Sequence, residues 1–312
     1  MAYRKGYQYL AVMVPEDTFG TVKTGATTGV TLPDVLDISE VPERVETKSK
    51  TLSLEPKKQN ALLGAKVVDV AMSGALGVLH QELLKMLVLD STKTTPYTFQ
   101  VDQGAKYSWT LFNYFAIPAA SIKAFQATGA VLKSLKINGV EGSPITYDAS
   151  FIAKAMSKEI AWPISGYTPT IPADVRPFMF CKTTINAFSL TKLESFDLTL
   201  TNNFIDDKQQ IMNATERQEV VATGSEGELN LVLPYDTTQT LPDYLSDTLT
   251  TITLSLIDNK TSPGSFVFTL KGHLLDAKLQ DPDRGRYSNT LKFRLAGDNS
   301  NVAMSVAYTA GS

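Results

Sequence analysis

The sequence predicts a mainly β protein, a sandwich or barrel, with one short flanking α-helix at about 75–89, and three observations carry that reading. Phe196, Leu198 and Leu200 alternate with Ser195, Asp197, Thr199 and Thr201, and a period of two marks a strand with one face in a core and one in water. Comparable short segments recur along most of the chain, separated by turn dipeptides such as Asn138-Gly139, Asn202-Asn203, Asp258-Asn259 and Pro263-Gly264. Only one stretch has helical spacing: Leu76, Leu79, Leu83 and Leu87 fall three and four residues apart on one stripe.

In chain order, residues 1–44 read as an extended N-terminal segment with apolar beads at 9–12 and 30–32, and 45–312 as one elaborated β-rich domain. Within 40–58, Leu52 and Leu54 alternate with Thr51, Ser53 and Glu55 between charged patches, the pattern of a projecting arm. Residues 66–72 form a strand with Val68, Val70 and Met72 on one face. The helix follows, started by Ser73 and Gly74 and ended by Asp90, Ser91 and Thr92. Further strands are expected at 97–101, 106–115, 131–138, 145–153, 181–190, 193–201, 228–233, 250–257, 265–279, 290–296 and 302–309. The proline-rich stretch 162–177 reads as a loop.

Composition narrows function. The chain has 312 residues, of which 20 % are charged, and a net charge of −3, without the basic excess that neutralising phosphates requires. One cysteine, Cys181, cannot make an intrachain disulfide, and two isolated histidines beside it give no basis for a zinc site or another cofactor. The apolar stretch 67–89 is interrupted by Asp69, His80, Glu82 and Lys85, so no membrane span is expected. The N-terminal apolar run is too short for a signal peptide, so intracellular synthesis is expected.

Motif by motif, chemistry is not found. Asp281-Pro282-Asp283-Arg284-Gly285 has the outline of a calcium loop but lacks its closing glutamate. Asp206 and Asp207, with Asp197 or Glu194, could make an acidic pair, yet solvated loop acids look the same in sequence. His80 and His273 read as packing or surface residues, because no nucleophile motif surrounds either. Cys181 reads as a small core residue. No enzyme activity is expected.

The order of features resembles the long tail tube proteins of tailed bacteriophages over nearly the whole length. The carriers are the aromatic, acidic, Gly-Thr segment 9–21 (YLAVMVPEDTFGT), the strand-and-helix block 67–87, Pro96-Tyr97-Thr98-Phe99, the middle strands 131–137 and 146–154, the FDLTLTNN strand at 196–203 and the glycine-led GSEGELNL strand at 224–231. One departure is the position before Thr98, where similar proteins often carry a histidine and this chain has Tyr97.

The resemblance implies a tail tube fold whose subunits close into rings, most often hexamers, with strands of all subunits forming one barrel around a lumen. Stacked rings would conduct the genome, with DNA passing unbound. Partners would be further copies of the chain, the tape measure protein, the tail terminator and the baseplate or distal tail proteins, in a virion tail made in the bacterial host cytoplasm. By this logic Ser195, Asp197, Thr199 and Thr201 are lumen-facing candidates, with Thr251, Thr253 and Ser255 next, since hydroxyls and a few carboxylates do not hold phosphate. Alternation identifies a wet face without saying whether it meets the lumen or the outside. Leu52, Leu54 and Glu55 of the arm are the inter-ring candidates. Two other classes stay open: another ring-forming tail or connector protein, and a β-sandwich carbohydrate-binding module using aromatics such as Trp162 and Tyr167.

Overall fold

The structure, a computed structural model, describes residues 9–25, 29–45, 62–87, 95–99, 108–115, 123–165, 167–170, 176–185, 188–190, 192–206, 220–234, 249–258, 260, 263–283, 286–296 and 304–310. In chain order the strands are β1 (Tyr9–Pro15), β2 (Val30–Leu32), β3 (Val35–Val45), β4 (Leu62–Ala75), β5 (Tyr97–Phe99), β6 (Trp109–Phe115), β7 (Lys123–Val140), β8 (Thr146–Ala153) and β9 (Ala155–Ala161). They continue with β10 (Phe180–Ile185), β11 (Phe188–Leu190), β12 (Ser195–Asp206), β13 (Val220–Pro234), β14 (Thr250–Ile257), β15 (Ser265–Asp283), β16 (Arg286–Leu295) and β17 (Met304–Thr309). A 3-10 turn at Val78–His80 leads into the one α-helix of the described residues, α1 (Gln81–Leu87). The protein is mostly β, as its alternation predicts.

Every strand pairing is antiparallel, and neighbours run β3–β4–β8–β7–β12–β13–β16–β15–β14–β10–β11. Two long strands tie this sheet together. β15 pairs with β16 along its second half and with β17 along its first, so β16 and β17 lie end to end beside it. β7 gives its second half to β8 and β12, while its first half, Lys123–Ala130, pairs with β6 and β9. β1 and β2 extend that smaller branch.

One face of these strands is dry. Phe196, Leu198 and Leu200 of β12, Ile252, Leu254 and Leu256 of β14, and Phe266, Phe268 and Leu270 of β15 are all buried in one continuous core. A seven-residue helix covers only part of so broad a face; the rest of it is buried among the strands of this single antiparallel sheet. Phe178 and Phe266 meet edge to face at 4.8 Å within that core, a geometry that adds about 1 kcal/mol beyond area burial.

The branch point of β7 is organised by one carboxylate. Glu16, just after β1, is buried; its Oε1 accepts from Thr110 Oγ1 at 2.7 Å and from Gly129 N–H at 2.9 Å. Its Oε2 accepts from Gly20 N–H at 2.8 Å and from the Ser108 hydroxyl. Gly129 has φ +64°, where β7 changes partners, and a Cβ there would come within 2.8 Å of Lys154 Cβ.

Four expectations need correction. The helix begins later than 75: Ala75 ends β4, and Leu76 is held by backbone bonds from its N–H to Ile145 O at 2.8 Å and to its carbonyl from Phe178 N–H at 2.8 Å. Those bonds keep Leu76 out of the helix; residues 88–89 lie outside the described residues. Asn202-Asn203 is not a turn either, because β12 runs through both to Asp206. The Asn202 side chain is buried instead, donating to Leu132 O at 3.1 Å and to Leu87 O, the end of α1, at 3.3 Å, while accepting from Ser225 Oγ at 2.9 Å. Similarly, Asn138 and Gly139 stay inside β7, and the turn falls after Val140. The segment read as one strand over 181–190 is the hairpin β10–β11.

Replacing Glu16 with Ala strands up to four donors at the branch point. We expect a loss of about 3 kcal/mol in urea unfolding, and Glu16→Gln, which keeps two acceptor positions' worth of bonding, should lose clearly less. An unchanged midpoint for Glu16→Ala would remove the carboxylate from this role.

Candidate functional site

The strand candidates fall on two wet faces. Ser195, Asp197, Thr199 and Thr201 point from β12 to the side opposite the core and are half-buried. Register lines up two rows across that face. Asp148, Lys136, Thr199, Glu228, Arg294 and His273 form one, from β8 to β15. Asn138, Asp197, Asn230, Lys292 and Asp276 form the other.

Charges on this face answer one another diagonally. Lys136 Nζ lies 2.8 Å from Asp197 Oδ2, and Lys292 Nζ lies 2.9 Å from Glu228 Oε2. Thr199 Oγ1 also donates to Asp197 Oδ1 at 3.1 Å. The hydrogen bond to Asp197, and after it the Asp197 charge, raise the pKa of Lys136 above the usual lysine range. Such exposed pairs contribute at most about 1 kcal/mol each. The face that β12 alone makes look hydroxylated and mildly acidic is, with its neighbours in place, a mosaic of both signs.

Thr251, Thr253 and Ser255 occupy the wet side of β14 and are half-buried. Thr253 sits in a row with Thr184 of β10, Thr269 of β15 and Ser305 of β17, and Ser189 and Thr98 stand in register at its two ends. This second face is hydroxyl-bearing along a whole cross-strand row, with Lys182 opposite Ser255 and Lys271 opposite Thr251 at its margins. The two faces were not distinguishable from single strands, because the rows exist only through pairing.

Leu52, Leu54 and Glu55 lie outside the described residues. The neighbouring part of the arm, 40–45, is the end of β3, paired with β4. Asp207 also lies outside them. Glu194 does not pair with another acid; its Oε2 accepts from Ser288 Oγ at 2.8 Å.

One buried polar cluster escaped sequence reasoning. His80 is buried, and Gly77 N–H donates to its Nδ1 at 3.0 Å, which leaves Nε2–H to donate to Asp34 Oδ2 at 2.9 Å. The Tyr147 ring packs against His80 at a tilt of 59°, with centroids 4.8 Å apart. Burial, and after it the Asp34 charge, push the Tyr147 phenol above the usual tyrosine range. The cluster fixes the entry to α1 against β4 and β8. Its only signal was His80 on the helix flank; Asp34 stands 46 residues away.

Trp162 and Tyr167, the aromatics named for a sugar platform, are engaged by neighbouring side chains and backbone. Trp162 packs on Phe112 and Tyr114 at 4.9 and 5.3 Å, and its N–H donates to Tyr167 O at 2.8 Å. The Tyr167 hydroxyl is bonded to Thr31 Oγ1 at 2.6 Å. Among the described residues, no three His, Cys, Asp or Glu side chains gather where a metal could sit.

Described residues line two surface grooves that bear on the site. One, of about 460 Å³, lies between β3 and β9 and is lined by Asp37, Ser39, Asn113 and Lys158. The other, of about 450 Å³, is bounded by the turn after β7, the start of β10 and the segment entering β12. Cys181 is on its wall, and burial pushes that thiol up to about 11.

Comparison with known proteins agrees with this architecture. The model of one family, described as phage tail tube protein, matches residues 9–306. No curated protein matches the chain.

A thiol held at about 11 is almost wholly protonated at pH 8, so Cys181 should react with iodoacetamide at least about tenfold more slowly than free cysteine. Alkylation at the free-cysteine rate would contradict its burial and reopen it as a nucleophile.

Proposed function

The chain belongs to the phage tail tube protein family, and from that premise we propose that it is the repeating subunit of a phage tail tube, assembling into rings that stack into a conduit for genome delivery. The observation that carries the reading is the family match over residues 9–306, on a mainly antiparallel sheet whose wet faces are laid out in continuous cross-strand rows. The role is structural and includes no catalysis. A protein of this kind is a component of the virion tail.

A sheet with open edges needs either protection or a partner, and closing it between subunits removes the edge. On this reading Ser195, Asp197, Thr199 and Thr201, with Thr251, Thr253 and Ser255, border the lumen. The first group suits passage of DNA in that Lys136 and Lys292 on this face are already engaged by Asp197 and Glu228 and are poor phosphate traps. Leu52, Leu54 and Glu55 supply the contact between rings. The further partners are the tape measure protein, the terminator and the baseplate or distal tail proteins. The alternative of a ring that caps a tube once, as a connector does, differs in behaviour: such a ring does not polymerise alone.

Negative-stain electron microscopy of the purified chain at rising concentration tests the reading. Long hollow tubes or stacked rings are expected; single rings that never lengthen would favour the connector. A second expectation concerns the lumen. Asp197→Lys places a cation diagonally beside Lys136, so both ammonium groups are released toward the lumen. Tubes should still form, while a phage carrying the variant should lose at least about tenfold in infectivity. Full infectivity would put Asp197 on the outside.

A further inference from the structure

Large apolar side chains are exposed at four positions among the described residues: Val140 at 58 %, Phe180 at 56 %, Leu275 at 54 % and Met179 at 37 %. Three of these line one groove. Val140 belongs to its turn wall and Met179 and Phe180 to its β10 wall, over a floor that includes Ile145, Leu193 and Phe196. The groove also carries an open strand edge. β14 pairs with all of β10 from Phe180 to Ile185, but β11 covers only Thr183–Ile185, so Phe180–Lys182 has no strand on the groove side among the described residues. An apolar trough beside bare backbone suits an extended chain, which would bond the edge and set its side chains in the trough.

The fourth residue stands on a complementary feature. β14 accompanies β15 only as far as Gly272, so residues 274–283 have β16 on one side and no strand on the other among the described residues. Leu275 projects from the bulge between Leu274 and Asp276 on this edge, which at strand spacing is about 33 Å long. The groove rim holds Glu141 and Lys182, both exposed, while Asp276 and Lys278 beside Leu275 pair with each other at 2.8 Å.

We infer that the groove formed by the β7 turn, β10 and the start of β12 receives the 274–283 edge of β15, with Leu275 as anchor, from a second copy of the chain. The contact joins two different patches, so it is heterologous: it propagates from copy to copy instead of stopping at a dimer, as a ring or stack requires. A groove-to-groove contact would close after two copies. The inference rests on the tube reading and names the surface through which copies meet.

The test uses the full chain, Phe180→Asp and Leu275→Asp, followed by light scattering and sedimentation velocity. Both side chains are exposed, so both variants should melt as wild type does; if Phe180→Asp melts early, Val140→Asp on the turn wall of the same groove replaces it. Each variant alone is expected to raise the concentration needed for assembly at least tenfold. Mixed in equal amounts they should form dimers and nothing larger, because the mixture retains one intact groove and one intact edge. Assembly of both variants at the wild-type concentration overturns the contact while leaving the tube reading in place. Blocked assembly without dimers in the mixture overturns the pairing of these two surfaces. A wild-type chain that stays monomeric at every concentration overturns the tube reading and the contact with it.

Discussion

The fold depends on a single buried carboxylate at the point where one strand serves two branches of sheet. β7 must leave β6 and β9 and join β8 and β12 within a few residues, and Gly129, with φ +64°, makes the change. A backbone bent in this way frees an N–H in a dry place. Glu16 accepts it, and the same carboxylate takes hydroxyl protons from Ser108 and Thr110 and an amide proton from Gly20. The end of β1, the start of β6 and the middle of β7 are thereby fixed to one pair of oxygens. Lys154 closes the arrangement from above, its N–H bonded to Thr128 O at 2.9 Å between β8 and β9.

With the branch point fixed, the rest of the architecture follows from ordinary burial. The two long strands, β7 and β15, each pass from one partner set to another, so no hydrogen-bonded boundary divides the sheet. α1 is tied to it from both ends: Asp34 and Tyr147 hold His80 at its start, and Asn202 reaches the carbonyl of Leu87 at its end. What remains outside the core is a set of wet rows and open edges. That is the composition expected of a protein whose surface is its function.

Alternation made most of the strands legible, because a residue's neighbours two positions away report its face. β14 is the clearest case, with buried and half-buried residues alternating along its whole length. Legibility failed where a side chain did the work of backbone. Asn202-Asn203 has turn composition, but a buried Asn amide that bonds two carbonyls sits comfortably in a strand. The stripe from Leu76 suggested an early helix start, yet the backbone of Leu76 is taken by Ile145 and Phe178 from elsewhere in the chain. The segment 9–21 carried the family resemblance, but nothing local showed that Glu16 within it meets Ser108 and Gly129, 92 and 113 residues away. Likewise the charge of the β12 face is a property of its neighbours, and pairing partners so distant leave no trace in a single strand.

The diagonal charge pairs have an evolutionary consequence. When Lys136 answers Asp197 and Lys292 answers Glu228, neither identity is required by the backbone, only opposite sign across a strand gap. Each pair can be exchanged or reversed in two steps, through an intermediate that costs little at an exposed site. The buried alternate positions are similarly open to exchange among apolar residues of like volume. Descendants of such a chain can therefore drift until few residues coincide while the sheet stays the same. The positions under the tightest inheritance would be those with no substitute of equal chemistry: the Glu16 carboxylate, Gly129, and the Asn202 amide.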